Sequence, residues 1–397
     1  MSKFRFFVSI LLFAHIIILV WVAWGLPIGP SEAKLYFSDQ NIVSLLMHEG
    51  KELFPDLDFL NIRFPFLIIH IINLILFYYL SKIFLKDEIA LFTSFMIFLL
   101  LPGIVSSAVL ATSTGITLAV YQGFLILFLK RRKVEAYILI SLLLFIDRSS
   151  VILYFALFTY ALWRREVGAI AFSSILLGAS VSIYGIEMHG KPVNYFADTI
   201  GLYAAIFSPL IFLYFFYSIY RILLKGDKNI IWHISFTVLV LSLIISLRQR
   251  IPIQDFAPFV IVAIPLMVKL FFNSFRVRLP QFRKKYFAMA IVVFSVLIIN
   301  TLALLFHKPF FLILKEPGRH FAAPFYYPYW CALALKEEGI YSIQVKKKEF
   351  QLQLRYYGIS SNSQYELNSI SCQDCKKVSI RYKNRNLKSC YVSKINN

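Results

Sequence analysis

Phe4–Trp24 reads FRFFVSILLFAHIIILVWVAW, and it opens directly into GLPIGPSEAKLYF over Gly25–Phe37. The first stretch is apolar almost without interruption and long enough to cross about 30 Å of hydrocarbon as a helix. The second places a carboxylate, Glu32, just outside that crossing. A carboxylate at this position in a chain with many such runs needs a reason. One reason is chemistry on a lipid-linked substrate at the membrane surface.

The rest of the chain continues in the same vein. With 59% hydrophobic and only 16% charged residues, the composition is not that of a soluble globular protein. Long apolar runs begin near Phe4, Ile62, Ala90, Thr114, Val134, Val151, Val167, Ser208, Ile230, Phe256 and Phe287. They predict about eleven membrane spans. Helices are expected, because a helix satisfies its own backbone groups where water is absent. The net charge of +20 invites a nucleic-acid reading, but its placement argues otherwise. Alternate short loops are basic: Lys3/Arg5, Lys82/Lys86, Lys130–Lys133, Arg164/Arg165, Arg221/Lys225/Lys228 and Arg276–Lys285. They hold about eighteen of the 41 Lys and Arg, whereas the intervening loops hold about seven. This positive-inside pattern puts the N-terminus in the cytoplasm and, with an odd number of spans, the residues after His307 outside.

The cysteines agree with that orientation. Cys331, Cys372, Cys375 and Cys390 all fall in the C-terminal segment, which suits disulfides in an oxidising compartment. Cys372 and Cys375 alternatively form half of a metal site, but no second pair at suitable spacing completes one. The first apolar run is too long for a signal-peptide core and lacks a small-residue cleavage site. Two domains are therefore expected: a multi-span membrane domain over residues 1–306 and an extracytoplasmic α/β domain over 307–397. In the latter, Tyr329–Glu338 reads as a helix stopped by Gly339. Ile340–Val345, Lys377–Tyr382 and Ser389–Lys394 read as strands, and Glu349–Tyr357 fits either state.

Two constellations could carry chemistry. Glu32 is either a cap on a short helix over Lys34–Leu46 or a general base, since a positioned carboxylate can take the proton of a weakly nucleophilic hydroxyl. Asp39, Asp56 and Asp58 share its loop and compete for that role. The second set is cationic: Lys34, Arg63, Arg148, Lys191, Arg248 and Arg250 fall at outer ends of spans, against the prevailing charge bias. Such groups snorkel, pair with acids (Asp147 with Arg148, Asp255 with Arg250) or bind phosphate, for which arginine's fork of donors is suited. No HExxH spacing, P-loop or GxGxxG is present. The spans carry almost no internal Asp or Glu, which weighs against an ion-coupled transporter.

Three stretches together resemble the GT-C superfamily of polyprenyl-phosphate-sugar glycosyltransferases, in the branch of protein O-mannosyltransferases and the lipid A aminoarabinose transferase. Ser31-Glu32-Ala33-Lys34-Leu35-Tyr36 stands where that branch has an Asp-Glu-Ala-x-x-Tyr-like motif. Asn61-Ile62-Arg63-Phe64-Pro65-Phe66 looks like its Arg-x-Pro opening of the second span, and Asp87–Phe92 through Leu101-Pro102-Gly103 like its third span. Arg248-Gln249-Arg250-Ile251-Pro252 is a weaker fourth match. There are departures. Ser31 replaces the family's Asp, and no carboxylate stands at Thr112-Ser113-Thr114, where the family usually has one. The Lys-Pro-Pro-like stretch is missing, and Asp147-Arg148-Ser149 replaces a Lys-Gly-Pro-like turn.

The resemblance implies an all-α polytopic membrane protein with a small C-terminal α/β periplasmic domain, in a bacterial inner (plasma) membrane of the cell envelope. It implies transfer of a hexosyl or related sugar from a polyprenyl-phosphate donor to an envelope lipid, glycan or protein acceptor. Glu32 would be the base, and Lys34, Arg63, Arg148, Arg248 and Arg250 would hold the phosphate. No cofactor and no metal site is implied, and a divalent ion is left open. Two rivals remain. One is a polysaccharide polymerase, ligase or flippase; the other is a non-catalytic GT-C-derived protein, which would account for the missing Asp residues.

Overall fold

The computed structural model describes residues 2–38, 41–185, 192–361, 365–368, 376–383 and 385–394. Every apolar run read from the sequence is helical. In chain order the helices are α1 (Ser2–Gly25), α2 (Pro30–Tyr36), α3 (Ile42–Leu53), α4 (Phe64–Phe84), α5 (Glu88–Leu100), α6 (Pro102–Val109) and α7 (Ser113–Leu129). Then come α8 (Lys133–Ser141), α9 (Ser149–Arg164), α10 (Val167–Tyr184), α11 (Phe196–Phe207), α12 (Pro209–Lys225) and α13 (Ile230–Ser246). The last are α14 (Ala257–Ile261), α15 (Ile264–Arg276), α16 (Pro280–Leu305), α17 (Phe310–Ile313), α18 (Ala323–Glu337) and α19 (Lys348–Tyr356).

Local chemistry sets many of these boundaries. Asn41, Asp87 and Asn229 each accept a backbone N–H from the first turn of α3, α5 and α13. That satisfies donors which a helix start leaves orphaned. Pro30, Pro102, Pro209 and Pro280 open their helices, where the missing N–H costs nothing. Among the described residues five helical segments are long and apolar enough to span a membrane. Two further candidates are bent pairs, α5 with α6 (54°) and α11 with α12 (106°), and α7 and α13 are shorter apolar helices. The protein is therefore a multi-pass membrane protein.

The chain forms two compact units. The first joins residues 1–65, 109–111 and 303–397; the second holds residues 66–108 and 112–302. The first unit thus brings the N-terminal helix and first outer loop together with the C-terminal segment. In the second unit helices approach closely through small polar residues. Hydroxyl pairs Ser81–Ser94 and Ser150–Ser180 lie 3.3 and 3.1 Å apart, and Asn73 Nδ2 donates to the Gly115 carbonyl. Without water between helices, such contacts and tight packing hold a bundle together.

The C-terminal segment of the first unit is α/β. Strands β1 (Tyr365–Asn368), β2 (Lys376–Tyr382) and β3 (Arg385–Lys394) form an antiparallel sheet in the order β1-β3-β2. Cys331 and Leu335 of α18, Ile343, Leu354, Ile359, Val378, Ile380, Cys390 and Val392 form its core. Gly339 takes φ +71° after α18, a left-handed stop that glycine adopts without a Cβ clash. Ile340–Val345 is not the expected strand. Among the described residues Ser342 and Gln344 make isolated bridges there, to Ser360 and Glu366. The ambiguous Glu349–Tyr357 resolves as α19, with Gln353 and Leu354 buried on adjacent positions of one face. Cys331 and Cys390 are buried in the same small core, and Cys372 and Cys375 lie outside the described residues.

Candidate functional site

In the first unit, α1 ends at Gly25 and the chain turns through Leu26-Pro27-Ile28-Gly29 into the short α2. Glu32 lies in the first turn of α2 and reaches back, its Oε2 accepting the Gly29 N–H at 2.7 Å. This is the reciprocal half of a capping box. Glycine is required at 29: a Cβ there would sit 2.5 Å from the Phe325 ring. Arg63, at the end of the 3-10 turn Asn61–Arg63, meets Glu32 with both prongs. Nε donates to Oε1 at 3.0 Å and Nη2 to Oε2 at 2.6 Å. The Ala111 N–H adds a fourth donor, to Oε1 at 2.8 Å.

The arginine is equally committed. Nη1 donates to the carbonyls of Ala23 and Leu26, and Nη2 also donates to Pro27. A guanidinium has five N–H groups and a carboxylate about four acceptor positions, so both inventories are full. Arg63 is 0% and Glu32 2% exposed. A buried pair survives its desolvation cost only when every donor and acceptor is satisfied, as here. Its effect is to tie the end of α1, the first outer loop, the start of α4 and residue 111 into one rigid corner.

The C-terminal segment braces the same corner. The Ile28 N–H donates to the Tyr357 hydroxyl at 3.1 Å, and Gln353 Nε2 donates to the carbonyls of Ile28 (2.8 Å) and Pro324 (2.9 Å). Burial pushes the Tyr357 phenol far above its ordinary value and that of Tyr356 up to about 12, so both stay protonated. Lys34, Asp56 and Asp58 are exposed around this corner, and Asp58 accepts the Trp24 indole N–H at 3.2 Å. Asp39 and Lys191 lie outside the described residues.

A second polar cluster lies within the second unit. Asp147 stands between a 3-10 turn (Leu142–Phe145) and α9. Its Oδ1 accepts the Arg148 N–H at 2.7 Å, and its Oδ2 accepts the Ser113 hydroxyl at 2.6 Å. Arg148 Nε donates to the buried Asp255 at 2.7 Å. Arg148, expected beside Asp147, and Asp255, expected beside Arg250, instead form an ion pair with each other. Arg248 and Arg250 are exposed at the turn after α13. Asp147 is only half-buried, and each of its oxygens has accepted one donor, not two.

Sequence reasoning singled out Glu32, Arg63, Arg148 and Asp255 but not how they pair. The Ser113–Asp147 contact is the most consequential miss. It brings a carboxylate to the Thr112-Ser113-Thr114 stretch from residues more than thirty positions downstream, about 2.6 Å from Ser113 Oγ. No local signal announces it. Among the described residues no three His, Cys, Asp or Glu side chains gather as metal ligands.

No protein-family model matches this chain, and no curated protein matches it in sequence. A solved structure does match in three dimensions: ArnT from Cupriavidus metallidurans, crystallised in the apo state. The two share a TM-score of 0.57 at 10% identity, over 99% of this chain and 98% of that one. At that identity the overall fold is what the two chains share.

Proposed function

We propose that this protein is a membrane glycosyltransferase that moves a sugar from a polyprenyl-phosphate donor to a lipid, glycan or protein acceptor on the periplasmic face. The observation that carries this reading is the end-to-end GT-C fold, matched over nearly the whole of both chains. Support also comes from the polar clusters described above. The orientation, N-terminus inside and residues after His307 outside, follows from the basic alternate loops.

Glu32 and Arg63 serve as positioning residues in this proposal. With four donors on one carboxylate, Glu32 has no acceptor position left to meet a substrate hydroxyl. Arg63 has no N–H left to offer a phosphate. Asp147 is the carboxylate better placed to act as general base, being partly accessible and oriented by Ser113. Arg148, Arg248 and Arg250 supply positive charge for the departing lipid phosphate.

The test is mass analysis of envelope lipids, glycans and surface proteins from a deletion strain. The reading predicts loss of one glycosyl mass from a product, restored by the intact gene. An unchanged profile in every fraction would contradict it.

A further inference from the structure

The first unit contains a cavity of about 490 Å³ that the proposed transfer reaction does not use. It opens beside the C-terminal end of α1, between Trp21, Trp24 and Gly25 on one side and Phe306 and Lys308 on the other, with Lys383 of the β2–β3 turn also lining it. The walls are mainly apolar and aromatic, and the Trp21 and Phe306 rings lie 5.7 Å apart. Among the described residues no Asp or Glu lines it.

Lys308 is the unusual member. It is half-buried, and its Nζ lies so close to the Gly25 Cα that a Cβ there would be 2.7 Å from it. Its nearest described attraction is the face of Tyr326, 5.7 Å from the ring centroid. Burial holds its pKa below the ordinary lysine value, and no carboxylate acts to raise it. A partly desolvated ammonium with no acidic counter-charge among the described residues suits an anion.

The surroundings say which kind. Gly25 is the last residue of the membrane-crossing stretch Val8–Gly25, so Lys308 lies at the depth where the hydrocarbon gives way to headgroups. Trp21 and Trp24 are exposed there, as interfacial aromatics are. Below them Ile10, Phe13 and Ile17 continue the same exposed stripe at three- and four-residue spacing, one continuous apolar track ending at the cavity. An exposed apolar stripe is expected of any spanning helix. A stripe that ends in a cavity holding a half-buried lysine is not.

We propose that this cavity binds the phosphate of an anionic phospholipid, with Lys308 as its counter-ion and an acyl chain lying along the α1 stripe. The site goes beyond the transfer reaction and shares none of the residues assigned to it. It makes lipid charge a determinant of how the end of α1 is held.

The test uses the full-length protein purified in neutral detergent and titrated with phosphatidylglycerol or phosphatidylcholine, with retained lipid counted by native mass spectrometry. One phosphatidylglycerol should be retained in preference to phosphatidylcholine, and inorganic phosphate or glycerol phosphate should not compete for it. Lys308→Ala should weaken retention by about ten- to hundredfold, the range for a hydrogen bond to a charged group. Gly25→Ala keeps the charge but moves the ammonium, and should weaken it in the same direction. Lys315→Ala, at an exposed lysine outside the cavity, should leave it unchanged. Wild-type retention by both Lys308→Ala and Gly25→Ala would overturn the proposal. So would equal retention of phosphatidylcholine, or full competition by inorganic phosphate. None of these readouts depends on sugar transfer.

Discussion

Two carboxylate–arginine clusters in this molecule differ in how completely they are closed. Glu32 and Arg63 are sealed from solvent and every donor and acceptor is spent within the first unit. Asp147 and Arg148 are partly open, and each oxygen of Asp147 keeps room for another hydrogen-bond donor. A saturated buried pair can fix a backbone corner but cannot exchange protons with a substrate. A partly satisfied one at an accessible turn can. The difference is why the proposal gives Glu32 a positioning role and Asp147 the role of base, from their hydrogen-bond inventories and not from their place along the chain.

The largest expected effect comes from breaking the sealed pair. Arg63→Ala strands a buried carboxylate and should cost about 3–5 kcal/mol. It should appear as a sharply lowered melting midpoint or loss of folded protein from the membrane fraction. If the variant melts like the wild type, the first cluster is not the structural corner described here. Tyr357→Phe removes only the hydroxyl that accepts the Ile28 N–H, and should cost about 1–3 kcal/mol by leaving that group unpaired. Ser113→Ala, at the open cluster, should cost about 1 kcal/mol or less, because water can replace the hydroxyl at half-buried Asp147. A larger loss there than for Tyr357→Phe would reverse the comparison.

Acid should weaken the first unit modestly. His307 and His320 are buried and their pKa values lie below 6.5, in both cases chiefly through desolvation. With the folded pKa depressed, the unfolded chain binds more protons once pH drops below about 6.5, so stability falls there and recovers above it. Thermal midpoints of the purified protein at pH 8 and pH 5 should show this drop, and His320→Gln should shrink it. No pH dependence, or one of opposite sign, would contradict the assignment.

The fold was largely legible because membrane crossing leaves a signal in each segment separately. Phe4–Trp24 and the later apolar runs needed only length and hydropathy to be read as helices, and Gly339 marked the end of α18 by its own chemistry. Asn41, Asp87 and Asn229 likewise stand where helix starts need acceptors. The sheet was less legible. Tyr365–Asn368 has no fully buried residue and so no apolar alternation to betray β1. At the candidate sites, residue types could be found but not partnerships. Glu32 meeting Arg63, and Ser113 meeting Asp147, depend on long-range packing that no local pattern encodes.

The most direct measurement complements a deletion strain with Glu32→Gln or Asp147→Asn and quantifies the glycosylated product per unit of folded protein. Asp147→Asn should accumulate normally yet lose about 10²- to 10⁴-fold in product formation, the usual range for a lost general base. Glu32→Gln should lower the amount of folded protein while each remaining molecule keeps most of its activity. The opposite pattern, an inactive but abundant Glu32→Gln beside a fully active Asp147→Asn, would contradict the division of labour between the two clusters.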